Sequence, residues 1–269
     1  MVTTTSVTAD AVAGVREDLR DQAPLVHCLT NLVVANFTAN ALLAAGASPA
    51  MTDTPEDAQV LAAGAGAVLV NLGTVTHASA EGMRASVTSA ARAGRPWVLD
   101  PVAAGPLPWR TALAGDLLAL APPAVVRGNA SEVLALTGGA GGRGVESTAD
   151  PEQAWPAARS LAGTYGLTVA VSGPVDLLTD GERTVRIANG HPLMTRVTGV
   201  GCVLGALTAG CLAVTGDALL AATAATVLLT LAGEAAAARA PRPGSFATAL
   251  LDELDATGAD RIRAAARLG

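Results

Sequence analysis

Thr198-Gly199-Val200-Gly201-Cys202 stands immediately before a long apolar stretch that reads as a helix. Glycines at a helix start let backbone N–H groups approach an anion closely, and the helix dipole favours negative charge at that end. Amides presented by Gly199 and Gly201 would stabilise charge developing on a phosphoryl group in transit. Cys202 falls in the first helical turn, where a thiol is expected to have a lowered pKa and to suit proton acceptance. The same residues also read as a plain glycine turn feeding a tightly packed helix, with a small buried sulfur.

Asn129-Ala130-Ser131-Glu132 follows an apolar run and opens another helix. Asn and Glu three apart make a capping-box pattern. The chemical alternative puts Glu132 near nucleotide phosphates, orienting Mg²⁺ and its waters, with Asp100 as its partner. Two carboxylates plus substrate phosphates suffice for such a site. Asp100 before Pro101 equally suits a turn. Arg127 ends a run where a guanidinium would pair with a phosphate or with a surface carboxylate. His27, in a polar N-terminal segment, His77 and the loop residue His191 are too scattered for a metal cluster. Gly138 to Gly144 is a further glycine-rich stretch, but no strand leads into it, so it reads as a connection.

These residues need a frame, and the sequence supplies a recurring one. Ala67-Val68-Leu69-Val70 runs into Asn71-Leu72-Gly73-Thr74, and Trp97-Val98-Leu99 into Asp100-Pro101. Ala124-Val125-Val126 runs into Arg127-Gly128-Asn129, and Thr168-Val169-Ala170-Val171 into Ser172-Gly173-Pro174. Apolar runs without alternation predict strands buried on both faces of a parallel sheet. His77 to Gly94 and Pro151 to Gly166 are long enough to be the crossover helices. Ligands bind at the carboxyl ends of strands in such sheets, so Asn71, Asp100, Arg127, Asn129 and Ser172 should gather on one edge. Val175 to Leu178 and Thr184 to Ala188, joined at Asp180-Gly181, predict an antiparallel hairpin beside it. Beyond Gly199 the chain reads as helical, with a break at Gly216-Asp217. No linker divides the 269 residues, which predict a single domain.

Composition narrows the chemistry. All 17 basic residues are Arg, and Lys is absent. Schiff-base enzymes and a P-loop, both of which need Lys, are excluded. Aromatics are 2% and the net charge is −6, so neither base stacking nor phosphate-backbone attraction is available, and nucleic acid is not an expected partner. Hydrophobic residues reach 51%, enough for a substantial core built of Ala, Val and Leu. Cys28, Cys202 and Cys211 form no C-x-x-C pair, which suits a reducing cytoplasm. Met1 to Asp10 lacks the pattern of a signal peptide. The apolar run from Ala218 to Gly233 falls short of the roughly 20 residues of a membrane span and reads as a buried helix.

Taken in order, the motifs are more specific than any one of them. Val26-His27-Cys28-Leu29-Thr30-Asn31, then Ala39-Asn40, then Gly46-Ala47-Ser48-Pro49-Ala50-Met51 resembles the N-terminal signature of hydroxyethylthiazole kinases. Asn71-Leu72-Gly73-Thr74, Leu99-Asp100-Pro101-Val102, Arg127 to Glu132 and Val197 to Cys202 follow in that family's order. The resemblance covers His27 to Gly210 and continues toward the C-terminus. It implies a ribokinase-like α/β fold, a central mostly parallel sheet with helices on both faces. It implies transfer of the ATP γ-phosphoryl group to the primary alcohol of 4-methyl-5-(2-hydroxyethyl)thiazole in thiamine salvage, with Mg²⁺ and a homotrimer whose sites lie between subunits. By that similarity Met51 and Gly199 contact the thiazole with Asn31 nearby, Arg127, Asn129 and Ser172 bind ATP, and Asp100 and Glu132 serve the metal. Related ribokinase-like kinases usually carry Asp at the place of Cys202, and this family carries Cys. A pyrimidine or pyridoxal kinase, a dehydratase repairing hydrated NAD(P)H and a non-catalytic thiazole sensor are the competing readings. Cys202, together with the Asn31 and Met51 signature, weighs against the first. The second is expected to carry Asp at position 202. Asp100 and Glu132 weigh against the third.

Overall fold

The apolar runs do become strands, and all of them enter one sheet. The computed structural model describes residues 7–138 and 150–269. The strands are β1 (Leu25–Leu29), β2 (Ser48–Ala50), β3 (Ala67–Asn71), β4 (Trp97–Asp100), β5 (Val125–Asn129), β6 (Thr168–Ser172), β7 (Asp176–Thr179) and β8 (Thr184–Ile187). Their order is β2-β1-β3-β4-β5-β6-β7-β8, parallel from β2 through β6 and antiparallel for the last two. The predicted hairpin is thus β7–β8, at one edge. The glycine-rich stretch beyond Gly138 lies outside the described residues.

Each central strand is apolar on both sides because both sides are covered. Side chains alternate across a strand, so Val68 and Val70 enter one core while Leu69 enters the other. The first core is sealed by α3 (Pro55–Gly64), α4 (His77–Arg92), α5 (Pro108–Leu120), α6 (Ala130–Leu136) and α7 (Pro151–Tyr165). The second is sealed by α1 (Ala9–Gln22), α2 (Ala35–Ala45), α8 (Val200–Leu212), α9 (Ala218–Arg239), α10 (Pro243–Ala256) and α11 (Ala259–Ala265). By length and composition α9 resembles a membrane span, but 78% of its apolar window is buried here. It is a core helix.

Two strands differ from the expectation. His27, read as part of a polar segment, is fully buried in the middle of β1. Its Nε2 lies 2.9 Å from the Thr52 carbonyl oxygen, and Ser86 Oγ is 3.5 Å from Nδ1. The imidazole is tolerated in the sheet because both nitrogens have partners. Arg127, read as a strand end, is two residues inside β5, which continues to Asn129.

The helix starts are set locally. Thr76 and Ser79 form a capping box on α4, and Asp217 accepts from the Leu219 and Leu220 amides to start α9. At α8 the pattern breaks: its N-cap is Gly199, with φ +97° and no side-chain cap. The first-turn amides of α8 therefore have no side-chain acceptor. This uncapped helix runs beneath β1, β3 and β4. Gly205 lets it approach, since a Cβ there would lie 3.0 Å from Leu69 Cδ1 on β3.

Candidate active site

Parallel register lines up the strand ends, and the polar residues follow. Asn71 pairs with Asp100 across β3 and β4, and Asn129 with Ser172 across β5 and β6. Asn31 Nδ2 donates to Asn71 Oδ1 at 3.0 Å, and Asn71 Nδ2 donates to Asp100 Oδ2 at 2.7 Å. Gly73 N also donates to Asn71 Oδ1, at 3.0 Å, which fixes the orientation of that amide. Arg127 Nη1 reaches Asp100 Oδ2 at 3.4 Å, and Nη2 donates to Ser172 Oγ at 2.9 Å. A continuous polar chain thus crosses five strands at their carboxyl ends, from Asn31 to Ser172.

The mouth of α8 closes on this chain from one side. Asn31 Nδ2 lies 3.4 Å from Cys202 Sγ, and a Cβ on Gly201 would sit 3.3 Å from Arg127 Nη1. Gly199 is demanded twice over: its φ is +97°, and a Cβ would come 2.8 Å from Val34 Cγ1. Asp100, Arg127, Gly201 and Cys202 therefore share one locus. Beside it a cavity of about 630 Å³ is lined by Arg127, Ser172, Asp176, Gly201, the 189–195 segment and α9. Arg127 Nε is buried with no hydrogen-bond partner, while Nη1 and Nη2 are turned to Asp100 and Ser172.

Electrostatics here overturn one expectation. Burial, reinforced by the charge of Asp100, pushes the Cys202 thiol up, not down. Arg127 and the amides of Asn71 and Asn31 oppose the shift without reversing it. Position in a helix's first turn is a local effect, and low-dielectric surroundings outweigh it. Cys202 is a thiol at neutral pH. Cys28 and Cys211 are buried in the core. Burial also raises Asp100, although Arg127 and Asn71 counter it. Glu132 is pushed up to about 7, by burial and then by Asp100.

Glu132 does complete the capping box: Asn129 N donates to Oε2 at 2.8 Å, and Glu132 N donates to Asn129 Oδ1 at 3.0 Å. Its other oxygen accepts from Ala103 N at 3.0 Å, tying α6 to the turn after Asp100. The carboxylate is therefore both a cap and a neighbour of Asp100. Met51 stands apart, at the carboxyl end of edge strand β2 and 37% exposed. Among the described residues no group of three or more His, Cys, Asp or Glu could hold a metal ion.

Asp176 was not singled out by the sequence, where it is the start of a hairpin strand. The signal available was the Gly173-Pro174 turn that precedes it. Its Oδ1 accepts from Gly173 N at 3.0 Å, closing the turn that carries Ser172. Burial raises its carboxyl to about 6, against the pull of Gly173 and Arg127. A raised carboxyl stabilises the fold fully below its unfolded pKa, near 4, and loses that contribution as pH climbs through its folded value. Asp176→Asn keeps an acceptor for Gly173 and has no proton to lose. Its stability relative to wild type is expected to rise by roughly 2 kcal/mol between about pH 4 and pH 7, read from urea melts. A pH-independent difference would contradict the assignment.

A larger opening than this cavity lies elsewhere, at the amino edge of the sheet. This groove of about 1230 Å³ runs between α7, the β7–β8 turn and the start of α9. In its lining Arg183 pairs with Asp180 at 2.7 Å and with Asp217 at 2.6 Å.

Comparisons with known proteins bear on the family and the fold. The model of the hydroxyethylthiazole kinase family matches residues 17–259. A hydroxyethylthiazole kinase of Kineococcus radiotolerans is 57% identical over 96% of this chain and 94% of its own length. The solved structure of hydroxyethylthiazole kinase protein from Pyrococcus horikoshii OT3 superposes with a TM-score of 0.88 at 38% identity, covering 96% of this chain and 98% of that one. Staphylococcus aureus pyridoxal kinase shares the fold alone, with a TM-score of 0.59 at 17% identity over 78% of this chain and 87% of its own. The sheet order and two-sided helix cover are thus those of a ribokinase-like fold, and the chain belongs to the hydroxyethylthiazole kinase family.

Proposed function

We propose that the strand ends and the mouth of α8 carry ATP and a thiazole alcohol together, within one kinase domain spanning residues 1–269. The reaction moves the γ-phosphoryl group of ATP to the primary hydroxyl of 4-methyl-5-(2-hydroxyethyl)thiazole. One P–O bond forms to the hydroxyl oxygen, the β,γ-bridging bond breaks, and ADP and a proton leave. The observation that carries this reading is the meeting of Asp100, Arg127 and Cys202 at an uncapped helix start.

Arg127 and Ser172, with Asn129 behind them, bind the triphosphate from the strand side, and the Gly199–Gly201 amides face it from α8. Phosphoryl transfer has a loose transition state, so these fixed donors act by positioning and by neutralising charge. Asn31 orients Cys202 and, with Met51 and Gly199, contacts the thiazole. Cys202, held as a neutral thiol, orients the hydroxyl; the proton departs late, when phosphoryl transfer has made it acidic. Asp100 and Glu132 suit a divalent cation. Burial and then the charge of Asp100 push Glu132 up, and a bound cation would relieve that repulsion. Mg²⁺ held by these two residues would supply charge neutralisation on the β- and γ-phosphates.

The assembly proposed is a homotrimer with sites between subunits. Leu32 and Val33, directly after Asn31, are 84% and 67% exposed, and Leu43 and Val60 are 59% and 73% exposed near the same sheet edge. A second copy covering them would wall the thiazole side of the site. The free thiols of all three cysteines suit a cytoplasmic location.

The reading is tested by ADP release and ester formation over a thiazole alcohol, a hydroxymethylpyrimidine and a hydrated nicotinamide cofactor. Stoichiometric phosphate ester from the thiazole alone supports it; turnover confined to another substrate overturns it. Cys202 has its own test. Cys202→Ala is expected to lower kcat about tenfold, well short of the loss of a true general base. Cys202→Asp should keep or raise kcat, and its complete inactivity in a folded protein would refute the placement of the hydroxyl.

A further inference from the structure

The cavity beside Arg127 has a wall built from outside the strand ends. Residues 189–195 form it, and they rest on one face of α9. Thr230, Gly233 and Glu234 are three and four residues apart, so they project from the same side of that helix. Gly190 N donates to Glu234 Oε1 at 2.8 Å, and Asn189 Nδ2 lies 3.4 Å from the same oxygen. Gly190 has φ +131°, which side chains rarely adopt, and it stands over Thr230. Gly233 leaves the seat for Met194: a Cβ there would fall 2.6 Å from Met194 Sδ and 3.0 Å from Cγ. Arg267 completes the clamp, pairing with Glu234 while its own N–H donates to Asn189 Oδ1 at 2.7 Å.

We propose that this face of α9 is a positioning element for the nucleotide, with Glu234 fixing the backbone of the cavity wall and Gly233 fixing how far Met194 intrudes. The inference rests on the reading that the cavity takes ATP. Glu234 is a positioning residue, acting through Gly190 and Met194 rather than on ATP itself. Its carboxylate lies outside the hydrophobic core and holds only this wall and the Arg267 segment, so its removal should register as nucleotide affinity. The thiazole side of the site, at Asn31, Met51 and Gly199, is not set by α9, since Gly199 packs against Val34 and Phe37, and it should not respond.

The test is calorimetric ATP binding by the full chain, together with KM for ATP and for the thiazole alcohol. Glu234→Ala is expected to weaken ATP about tenfold and leave the alcohol KM within about twofold. Glu234→Gln keeps an oxygen for Gly190 N and should recover most of the loss. Gly233→Ala drives Met194 from its seat and should weaken ATP by a similar factor with an unchanged melting temperature; if Glu234→Ala fails to fold, this variant decides. Wild-type ATP affinity in Gly233→Ala or in a folded Glu234→Ala, a loss in Glu234→Gln as large as in Glu234→Ala, or equal rises in both KM values overturns the proposal. Arg127→Lys separates the two failures. If it weakens ATP while the α9 variants do not, the positioning role falls and the nucleotide cavity stands. If it too binds ATP normally, or wild type binds none, the nucleotide reading falls and takes this inference with it.

Discussion

Replacing Asp100 with asparagine is expected to lower kcat by about 10³-fold, the scale of losing a preorganised charge at the reacting centre. The substitution preserves volume, so what changes is the polarity of the chain it sits in. Asp100 is completely buried, and its Oδ2 accepts from Asn71 while both oxygens face Arg127 Nη1. Asparagine offers one acceptor where the carboxylate offers two. If its oxygen turns to Asn71, its NH₂ meets the guanidinium; if it turns to Arg127, two NH₂ groups meet at the Asn71 side. Asn71 cannot flip to help, because its own oxygen is claimed by Gly73 N and Asn31 Nδ2. Arg127 loses the one carboxylate it is paired with, leaving Glu132 and Asp176 as weaker counter-charges, and breaking such a buried pair costs about 3–5 kcal/mol. The variant should therefore lose both turnover and stability, read by steady-state kinetics and by melts of the same preparation. Wild-type kcat in a folded Asp100→Asn protein would remove Asp100 from the mechanism.

Arg127→Lys is expected to reduce kcat/KM for ATP about 10²-fold while the protein still folds. One guanidinium spans two strands, with Nη1 toward Asp100 on β4 and Nη2 on Ser172 of β6. An ammonium is a single point and cannot keep both directions. It can stay near Asp100, so the buried charge remains paired and the fold survives, but Ser172 loses its partner. Arg127→Met should do more, because no cation remains. Arg127 favours the charged form of Asp100. Its loss must move the acid limb of the pH–rate profile to higher pH, since an acid deprived of a nearby positive charge holds its proton longer. A methionine variant with an unmoved acid limb would show that Asp100 and Arg127 are not coupled in the reaction.

How much of this was legible in the sequence depended on how local its cause was. The strands β3 to β6 announced themselves because burial on both faces demands unbroken apolar runs, and the polar residue ending each run then had to lie on one edge. That logic brought Asn71, Asp100, Arg127 and Ser172 together without further information. Strand β1, next to the edge strand β2, was hidden by His27, a polar residue made acceptable only by the Thr52 carbonyl and Ser86, which come from far along the chain. The capping box at Asn129 and Glu132 was visible because its partners are three residues apart. The raised thiol of Cys202 was not, because Asp100 and the surrounding burial belong to other elements. The wall of the cavity was equally invisible: Gly190 and Glu234 are separated by 44 positions, and only the packing of α9 joins them.

A structure of the protein with a non-hydrolysable ATP analogue, Mg²⁺ and the thiazole alcohol is the most direct measurement of the central claim. The account predicts the γ-phosphate at the mouth of α8, between Arg127 and the Gly199–Gly201 amides. The alcohol oxygen should lie about 3–3.5 Å from its phosphorus, beside Cys202. Nucleotide seated instead in the amino-edge groove lined by Arg159, Arg183 and Asp217 would contradict it.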